Sequence, residues 1–408
     1  MAARAQAPAK PKVGLTITGE ARFRYENREN AAFWDAQDKN PKDELARFRL
    51  GFNYQFENGP RIYIQPQFNW QHDSCVAVST GTDWEGDIFN GYIEFGGKQQ
   101  LWRVGRQELL FGEGRLIAPS NWSNSGRSYD AARLTIADKR TKTDLFVGKV
   151  GHVGPKYPHP LFAGLYSTIT PRKDLSYDLY LLFKSLDVNP TTLQEIYTIG
   201  SRPKAKWGPI DAYGEAAYQF GKYGARTVSA YAYTGNVGYT FKGPLGLRLA
   251  AEYDFASGGN PTEGTYTTFD QMFLTNHSVV DSILGMYDGV GWRNMREWRV
   301  NALMTPARKW TVSLDGHFFM LDNAIDYWYG KGGAPMPGYN GKGIRDATGA
   351  SGRDLGSEAD ISVSYEVCKG LVLAAQYAHF MPGSFVRSAN GGHADEANWF
   401  MFQTEYKW

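Results

Sequence analysis

Leu15-Thr16-Ile17-Thr18-Gly19-Glu20-Ala21-Arg22-Phe23-Arg24-Tyr25-Glu26 sorts its side chains by parity. Leu15, Ile17, Ala21, Phe23 and Tyr25 share one face; Thr16, Thr18, Glu20, Arg22, Arg24 and Glu26 share the other. A period of two marks a β-strand with one apolar and one polar side. The pattern repeats downstream, where Ala46, Phe48, Leu50, Phe52, Tyr54 and Phe56 oppose Arg47, Arg49, Asn53 and Gln55. It repeats again where Ile62, Ile64, Phe68 and Trp70 oppose Arg61, Tyr63, Gln65, Gln67 and Asn69. Strands of soluble sandwiches run about 5–6 residues. These reach about ten or more, the length a tilted membrane-crossing strand requires.

The connections have a rhythm of their own. Tight turns are expected at Asn58-Gly59-Pro60, Gly96-Gly97-Lys98, Asp138-Lys139-Arg140 and Pro171-Arg172-Lys173. Further ones fall at Lys206-Trp207-Gly208-Pro209, Lys242-Gly243-Pro244, Thr305-Pro306-Ala307-Arg308 and Cys368-Lys369-Gly370. Between them lie longer polar, glycine-rich segments such as 27–43, 72–86, 108–129, 257–292 and 321–356. Short turns on one rim and long loops on the other describe a bacterial outer-membrane barrel. Counting hairpins predicts an all-β fold: a transmembrane antiparallel up-and-down β-barrel of about 18 strands, with short periplasmic turns, long extracellular loops and both termini periplasmic. Cys75 then falls in an outer loop and Cys368 in a periplasmic turn, too far apart for a disulfide. In the last strand Phe400, Phe402, Tyr406 and Trp408 alternate with Gln403, Glu405 and Lys407. A chain ending on an aromatic resembles the C-terminal signal by which such barrels are recognised for insertion.

Composition agrees with this reading. Mean hydropathy is -0.46, yet aromatics are 15% of the chain, with 25 Tyr and 12 Trp. Alternation hides apolar content from an average, and amphipathic rings suit a membrane–water boundary. No stretch approaches the roughly 20 apolar residues of a membrane-spanning helix. A net charge of +2 argues against nucleic acid as a partner, which calls for a clear basic excess. Residues 1–12 contain Ala3-Arg4-Ala5-Gln6-Ala7, similar to the small-residue end of an export signal. They are expected to be a residual, flexible leader, with 13–408 forming a single barrel domain.

Charged residues on inner faces are the candidates for function. The basic ones are Arg22, Arg24, Arg47, Arg49, Arg61, Arg103, Arg133, Arg248 and Arg299. The acidic ones are Glu20, Glu94, Asp178, Glu252, Asp254, Asp315, Glu358, Asp360 and Glu405. Arginines of the first three strands are neighbours in a closed sheet and should form a basic sector, with acids of later strands partly across the lumen. Rings of charge tune selectivity in pores; the plainer reading is that most of these charges pair and keep the lumen wet and rigid. The seven histidines show no metal-ligand spacing, no pair of carboxylates is singled out for hydrolysis, and Gly112-Glu113-Gly114-Arg115 lacks the context of a nucleotide loop. No enzyme activity and no cofactor are therefore expected, although Glu263 and Asp270 in loop 257–270 could hold Ca²⁺.

The segment 103–134, RVGRQELLFGEGRLIAPSNWSNSGRSYDAARL, is unlike plain strand. A loop of this length is usually functional, and it could fold into the pore or be held outside by its own salt bridges. It resembles the alginate export family of outer-membrane proteins, in which GRQEL, GxGR, WSN and GRxxD recur in this order. Further matches are Glu252-Tyr253-Asp254-Phe255-Ala256-Ser257-Gly258, Thr268-Phe269-Asp270-Gln271-Met272-Phe273, Gly291-Trp292-Arg293-Asn294, and the run from Gly356-Ser357-Glu358-Ala359-Asp360 through Tyr377-Ala378-His379-Phe380-Met381-Pro382-Gly383. The resemblance spans nearly the whole chain. It implies a monomeric barrel of eighteen strands in the outer-membrane lipid, whose arginine-lined constriction passes a polyanionic polysaccharide delivered by periplasmic export machinery. By motif match Arg103, Arg106, Arg115, Arg127, Asp130 and Arg133 inherit places near that constriction. Inner-face charges look nearly balanced for such a cargo, so a general diffusion porin for small polar solutes stays open. So does an enzyme or adhesin built on loops 257–292 and 321–356.

Overall fold

The computed structural model describes residues 13–30, 33, 42–57, 59–73, 83–152, 160–189, 192–274, 278 and 283–408. Cys75 lies outside them; Cys368 is exposed and free. The strands are β1 (Gly14–Glu29), β2 (Lys42–Gln55), β3 (Arg61–Asp73), β4 (Asp83–Gly96), β5 (Gln100–Gln107), β6 (Ser128–Ala137), β7 (Thr141–His152), β8 (Leu161–Arg172), β9 (Leu175–Asn189) and β10 (Thr192–Trp207). They continue with β11 (Ile210–Tyr223), β12 (Arg226–Thr240), β13 (Arg248–Ala256), β14 (Thr265–Tyr266), β15 (Met295–Met304), β16 (Trp310–Met320), β17 (Asp354–Cys368), β18 (Leu371–Pro382) and β19 (Ala397–Lys407). One short helix, α1 (Ser384–Ala389), sits between the last two strands.

Each long strand pairs antiparallel with its neighbours in the chain, and β1 pairs with β19, so the sheet closes on itself. The two-residue β14 lies parallel beside the start of β12 and outside this circuit; the wall is an eighteen-stranded barrel. Closure satisfies every edge, which a bilayer core demands because it offers no water to unpaired amides. At the seam Gly19 and Trp408 exchange backbone hydrogen bonds of 3.0 and 3.1 Å. A side chain at Gly19 would collide with the Trp408 ring, which lies flat on that glycine.

The alternation decides what faces lipid. Leu15, Ile17, Phe23, Ile64, Phe68, Val147, Ile199 and Val300 are exposed on the outer wall. Tyr54, Phe56, Trp207, Tyr239, Phe241, Trp310 and Trp408 stand exposed beside the short turns or the chain end, at the height of an interfacial aromatic girdle. The long connections cluster on the opposite rim, but that rim is uneven. β11 and β12 are joined by a tight turn at Gly224-Ala225, and β9 is separated from β10 by two residues only.

The described parts of the long segments pack into the barrel. Phe33, Leu109, Phe111, Leu116, Ile117, Trp122, Phe269, Phe273, Leu284, Trp292 and Trp328 are buried in one cluster with inward strand residues such as Phe162, Phe319, Phe380 and Trp399. Phe33 stacks on Trp328 at 5.2 Å, and Phe273 meets Phe162 edge-on at 5.3 Å. The extracellular half of the lumen is therefore filled by a hydrophobic core made of inserted loops.

Candidate functional site: an arginine wall and its inserted loop

Segment 108–127, between β5 and β6, crosses the lumen and is gripped from both sides. On the near side are Arg22 and Arg24 of β1 and Arg47 and Arg49 of β2, all buried. β1 and β2 are in register there, with Arg22 opposite Arg47, so one parity of two adjacent strands sets four guanidiniums side by side. Arg22 donates to the carbonyls of Asn121 at 2.9 Å and Ser123 at 3.1 Å. Arg47 donates to the same two carbonyls at 2.9 and 3.0 Å. Arg24 reaches the Trp122 carbonyl at 2.9 Å and lies 3.7 Å over its ring. Arg49 donates to Asn121 Oδ1 at 2.8 Å and lies 3.4 Å over Phe89.

The partners of these arginines decide the local charge. Arg24 pairs with Glu26 at 3.0 Å and Arg47 with Glu20 at 2.6 Å. Arg22 and Arg49 meet only neutral acceptors among the described residues: loop carbonyls, Asn124, Asn121 and Gln67. The wall therefore carries two positive charges without a bound carboxylate, although the chain as a whole is nearly neutral.

The loop's motifs are the grip itself. In Asn121-Trp122-Ser123-Asn124-Ser125-Gly126, Asn124 donates to the carbonyls of Ala46 and Trp70. Asn121 donates to Glu108 at 2.5 Å, and Ser123 Oγ accepts the Gly126 amide at 2.9 Å. Gly126 has φ +71°, and a Cβ there would sit 2.8 Å from both Arg49 and Phe89, so only glycine lets the wall close on the loop. Gln107 donates to the Ala131 carbonyl, and Leu109 is fully buried.

The far side holds the other end. Arg115, fully buried, forms ion pairs with Glu252 at 2.6 Å and Asp254 at 2.9 Å on β13. Burial works against its charge, but those two carboxylates keep it firmly protonated. Glu113 is bridged by Arg202 and by Lys204 at 3.1 Å, both on β10. Burial pushes this carboxyl up, and the two cations more than reverse that, holding it below its ordinary value. Arg127 binds backbone instead, donating to the Phe273 carbonyl at 2.8 Å and so tying this loop to the segment that follows β13.

The remaining candidates are distributed more widely. Arg61 and Arg103 share Glu94 beside a chamber of about 750 Å³ at the periplasmic mouth. Arg248 pairs with Asp211 at 2.6 Å, and Arg299 with Asp315 at 2.6 Å; both line a chamber of about 480 Å³ with Glu113, Lys204, Tyr213 and Glu252. Arg133 binds Asp144 at 2.9 Å. Arg106 and Asp130 require a correction. They pair with each other at 2.7 Å, and Arg106 also meets Asp87 at 3.1 Å. Arg106 shares its strand face with the exposed Trp102 and Val104, while Arg103 and the buried Gln107 take the other. By parity Arg106 and Asp130 take the outward face, because motif membership fixes position along a strand but parity fixes the face. Asp270 is held by Lys184 at 2.6 Å and Glu263 hydrogen-bonds Asn260 at 3.2 Å, so an ammonium already neutralises the Asp270 carboxylate.

Three to five strands round the circuit from β1, on β15 to β17, the lumen is acidic and internally paired. His317 on β16 lies between Glu297 at 2.5 Å and Asp360 at 3.3 Å. Glu358 accepts the amides of Met286 at 2.6 Å and Tyr287 at 2.8 Å, pinning the segment before β15. Sequence reading missed Lys184 and Arg202. Their strands carry apolar residues on both faces near them, as in Tyr180-Leu181-Leu182-Phe183, where Leu182 packs inward against the inserted loops. Alternation has no contrast there to reveal a buried cation.

With this geometry in view, the chain was compared with known proteins. The model of a family described as alginate export matches residues 13–400. No curated protein matches in sequence. Among solved structures, Pseudomonas aeruginosa OccK5 (OpdH) superposes with a TM-score of 0.65 at 12% identity, covering 97% of this chain and 98% of that one. The outer membrane protein OprD from Pseudomonas aeruginosa gives 0.64 at 13%, covering 99% and 96%. Acinetobacter baumannii OccAB3 gives 0.65 at 11%, covering 97% and 99%. At such identities the likeness is one of fold.

Proposed function

Since the chain belongs to the alginate export family and is an outer-membrane β-barrel channel, we propose that it passes an anionic, carboxylate-bearing saccharide along the wall formed by Arg22, Arg24, Arg47 and Arg49. The observation that carries this reading is the pair of buried arginines, Arg22 and Arg49, whose partners are neutral carbonyl and amide oxygens. A carboxylate offers a guanidinium a full countercharge and two oxygens for a bidentate contact, neither of which a neutral carbonyl supplies. A uronate carboxylate arriving at this wall competes favourably with the carbonyls of Asn121 and Ser123. Segment 120–126 thus acts as a stand-in occupant that the cargo displaces. Arginine suits the task because its planar fork matches a carboxylate with two parallel bonds. Arg61 and Arg103, two cations sharing the single carboxylate of Glu94, continue the basic lining at the periplasmic mouth, whereas Arg248 and Arg299 are each matched by a carboxylate.

The test is ionic current through the purified protein in a planar bilayer. Uronate oligomers should block at low concentration, with block strengthening as the oligomer lengthens. Absence of block, with weak anion preference, sinks the reading. A second reading, a general porin for small polar solutes, is favoured by one observation. The chamber beside Arg248 and Arg299 holds about 480 Å³, within the roughly 300–1,000 Å³ of small-molecule pockets. Block that is independent of oligomer length supports this second reading.

A further inference from the structure

The extracellular cap carries a polar cleft of about 520 Å³, lined by Tyr327, Tyr339, Asn340, Lys342, Arg345 and Asn390 among others. It is built on a hairpin. Trp328 donates to the Ile344 carbonyl at 3.1 Å, Ile344 to Met336 at 2.9 Å, and Gly338 to Lys342 at 2.7 Å. Trp328 and Ile344 are buried and fasten the hairpin to the core inside the barrel, so the residues between them project from a fixed base. Tyr339 is 40% exposed. Its ring packs 5.2 Å from His393 and lies over Gly391, where φ is +67° and a Cβ would come within 2.6 Å of the ring. Tyr327 is held beneath Arg345, whose guanidinium stands 5.2 Å above the ring.

The cations in this cleft, an oriented Arg345 and an exposed Lys342, have no carboxylate partner among the described residues. Arg345 Nε donates to the Ile325 carbonyl at 2.7 Å, which fixes the plane of its fork. The neighbouring Asp346 turns its oxygens to Thr348 and Ser351 of its own turn. The cleft thus combines two aromatic faces, two cations and the Asn340 amide on a rigid support.

We infer that this cleft binds an anionic oligosaccharide at the cell surface. Aromatic faces take the C–H faces of sugar rings, the two cations take carboxylate or phosphate, and the amide takes hydroxyls. The shared chemistry admits two sources, an acidic polysaccharide outside the cell and the phosphorylated saccharide head of an outer-leaflet lipid. The inference does not rest on what the lumen passes.

The experiment is calorimetric titration of the full chain in nanodiscs with a uronate hexasaccharide and, separately, with a phosphorylated core oligosaccharide. Maltohexaose and a short polyglutamate serve as controls. Binding by either anionic saccharide, in preference to both controls, is expected, and which one binds identifies the source. Lys342→Ala with Arg345→Ala should weaken it roughly tenfold or more, and Tyr339→Ala should weaken it in a barrel whose heat-shifted gel mobility shows it folded. Arg22→Gln with Arg49→Gln, which alters the lumen, should leave this binding in place. Binding by neither saccharide, equal binding of maltohexaose or polyglutamate, or unchanged affinity in the cleft variants overturns the inference.

Discussion

The two walls that hold the inserted segments use opposite chemistry. On β1 and β2 guanidiniums bind backbone carbonyls, and two of the four meet no carboxylate among the described residues. On β13 and β15 to β17 carboxylates bind backbone amides, a buried arginine and a histidine. A carbonyl is a weak partner for a cation, and an arriving anion improves on it. A carboxylate already bridged by Arg115, or by paired amides, has nothing to gain from exchange. On the proposed function the arginine wall is the side where cargo and loop trade places, and the acidic wall the side that anchors the inserted segments.

Arg115→Ala should separate the walls most sharply. It leaves Asp254 buried without its cation and Glu252 with only the more distant Arg299, at 3.8 Å, a loss of about 3–5 kcal/mol. Urea unfolding in lipid vesicles should show it, along with a larger and noisier conductance. A change below about 1 kcal/mol would remove the anchoring role of the acidic wall.

Arg22→Gln with Arg49→Gln should have little effect on unfolding by comparison, because glutamine still donates to the loop. It should abolish most anion preference and raise the concentration of uronate oligomer needed for block by about tenfold or more. Arg47→Glu with Arg49→Glu should go further and shift the reversal potential toward cations. An unchanged reversal potential in both would take the arginine wall out of selectivity.

Gly126→Val tests shape instead of charge. The positive φ and the approach to Phe89 and Arg49 predict a cost of about 1–3 kcal/mol, together with a loosened loop. Single-channel recordings should show added fluctuations while ion preference is kept.

Glu113 gives the smallest effect. Its folded-state pKa lies below the usual 4.5, so its stabilisation is complete above that value and is lost as pH falls through the depressed one. Conductance should change in that acid range, and Glu113→Gln should remove the transition. A transition that persists in this variant would belong to other carboxylates.

The barrel was legible because lipid and lumen impose contrast on every strand. Arg22, Arg24, Arg47 and Arg49 were found by parity alone. Arg106 and Asp130 were placed in the lumen on motif order, and strand parity sets them outside. The inserted core was left open, since Trp122, Phe273 and Trp292 lie in irregular segments where no period says which way a side chain turns. The loop's grip was visible only as a motif, because carbonyl acceptors are present at every residue and leave no mark in a sequence.

The seam between β1 and β19 adds a consequence in time. Arg24 donates not only to the loop but to Gln403 of β19, at 2.9 Å, and Trp408 caps Gly19 on the same strand. These partners are nearly the whole chain apart, so their meeting is the costliest loop closure in the molecule and among the slowest to be rewarded. Until the last strand docks, the arginine cluster lacks one of its supports. Closure of the sheet and completion of the arginine wall are thus a single late event in biogenesis, and a barrel stalled open at this seam would lack both.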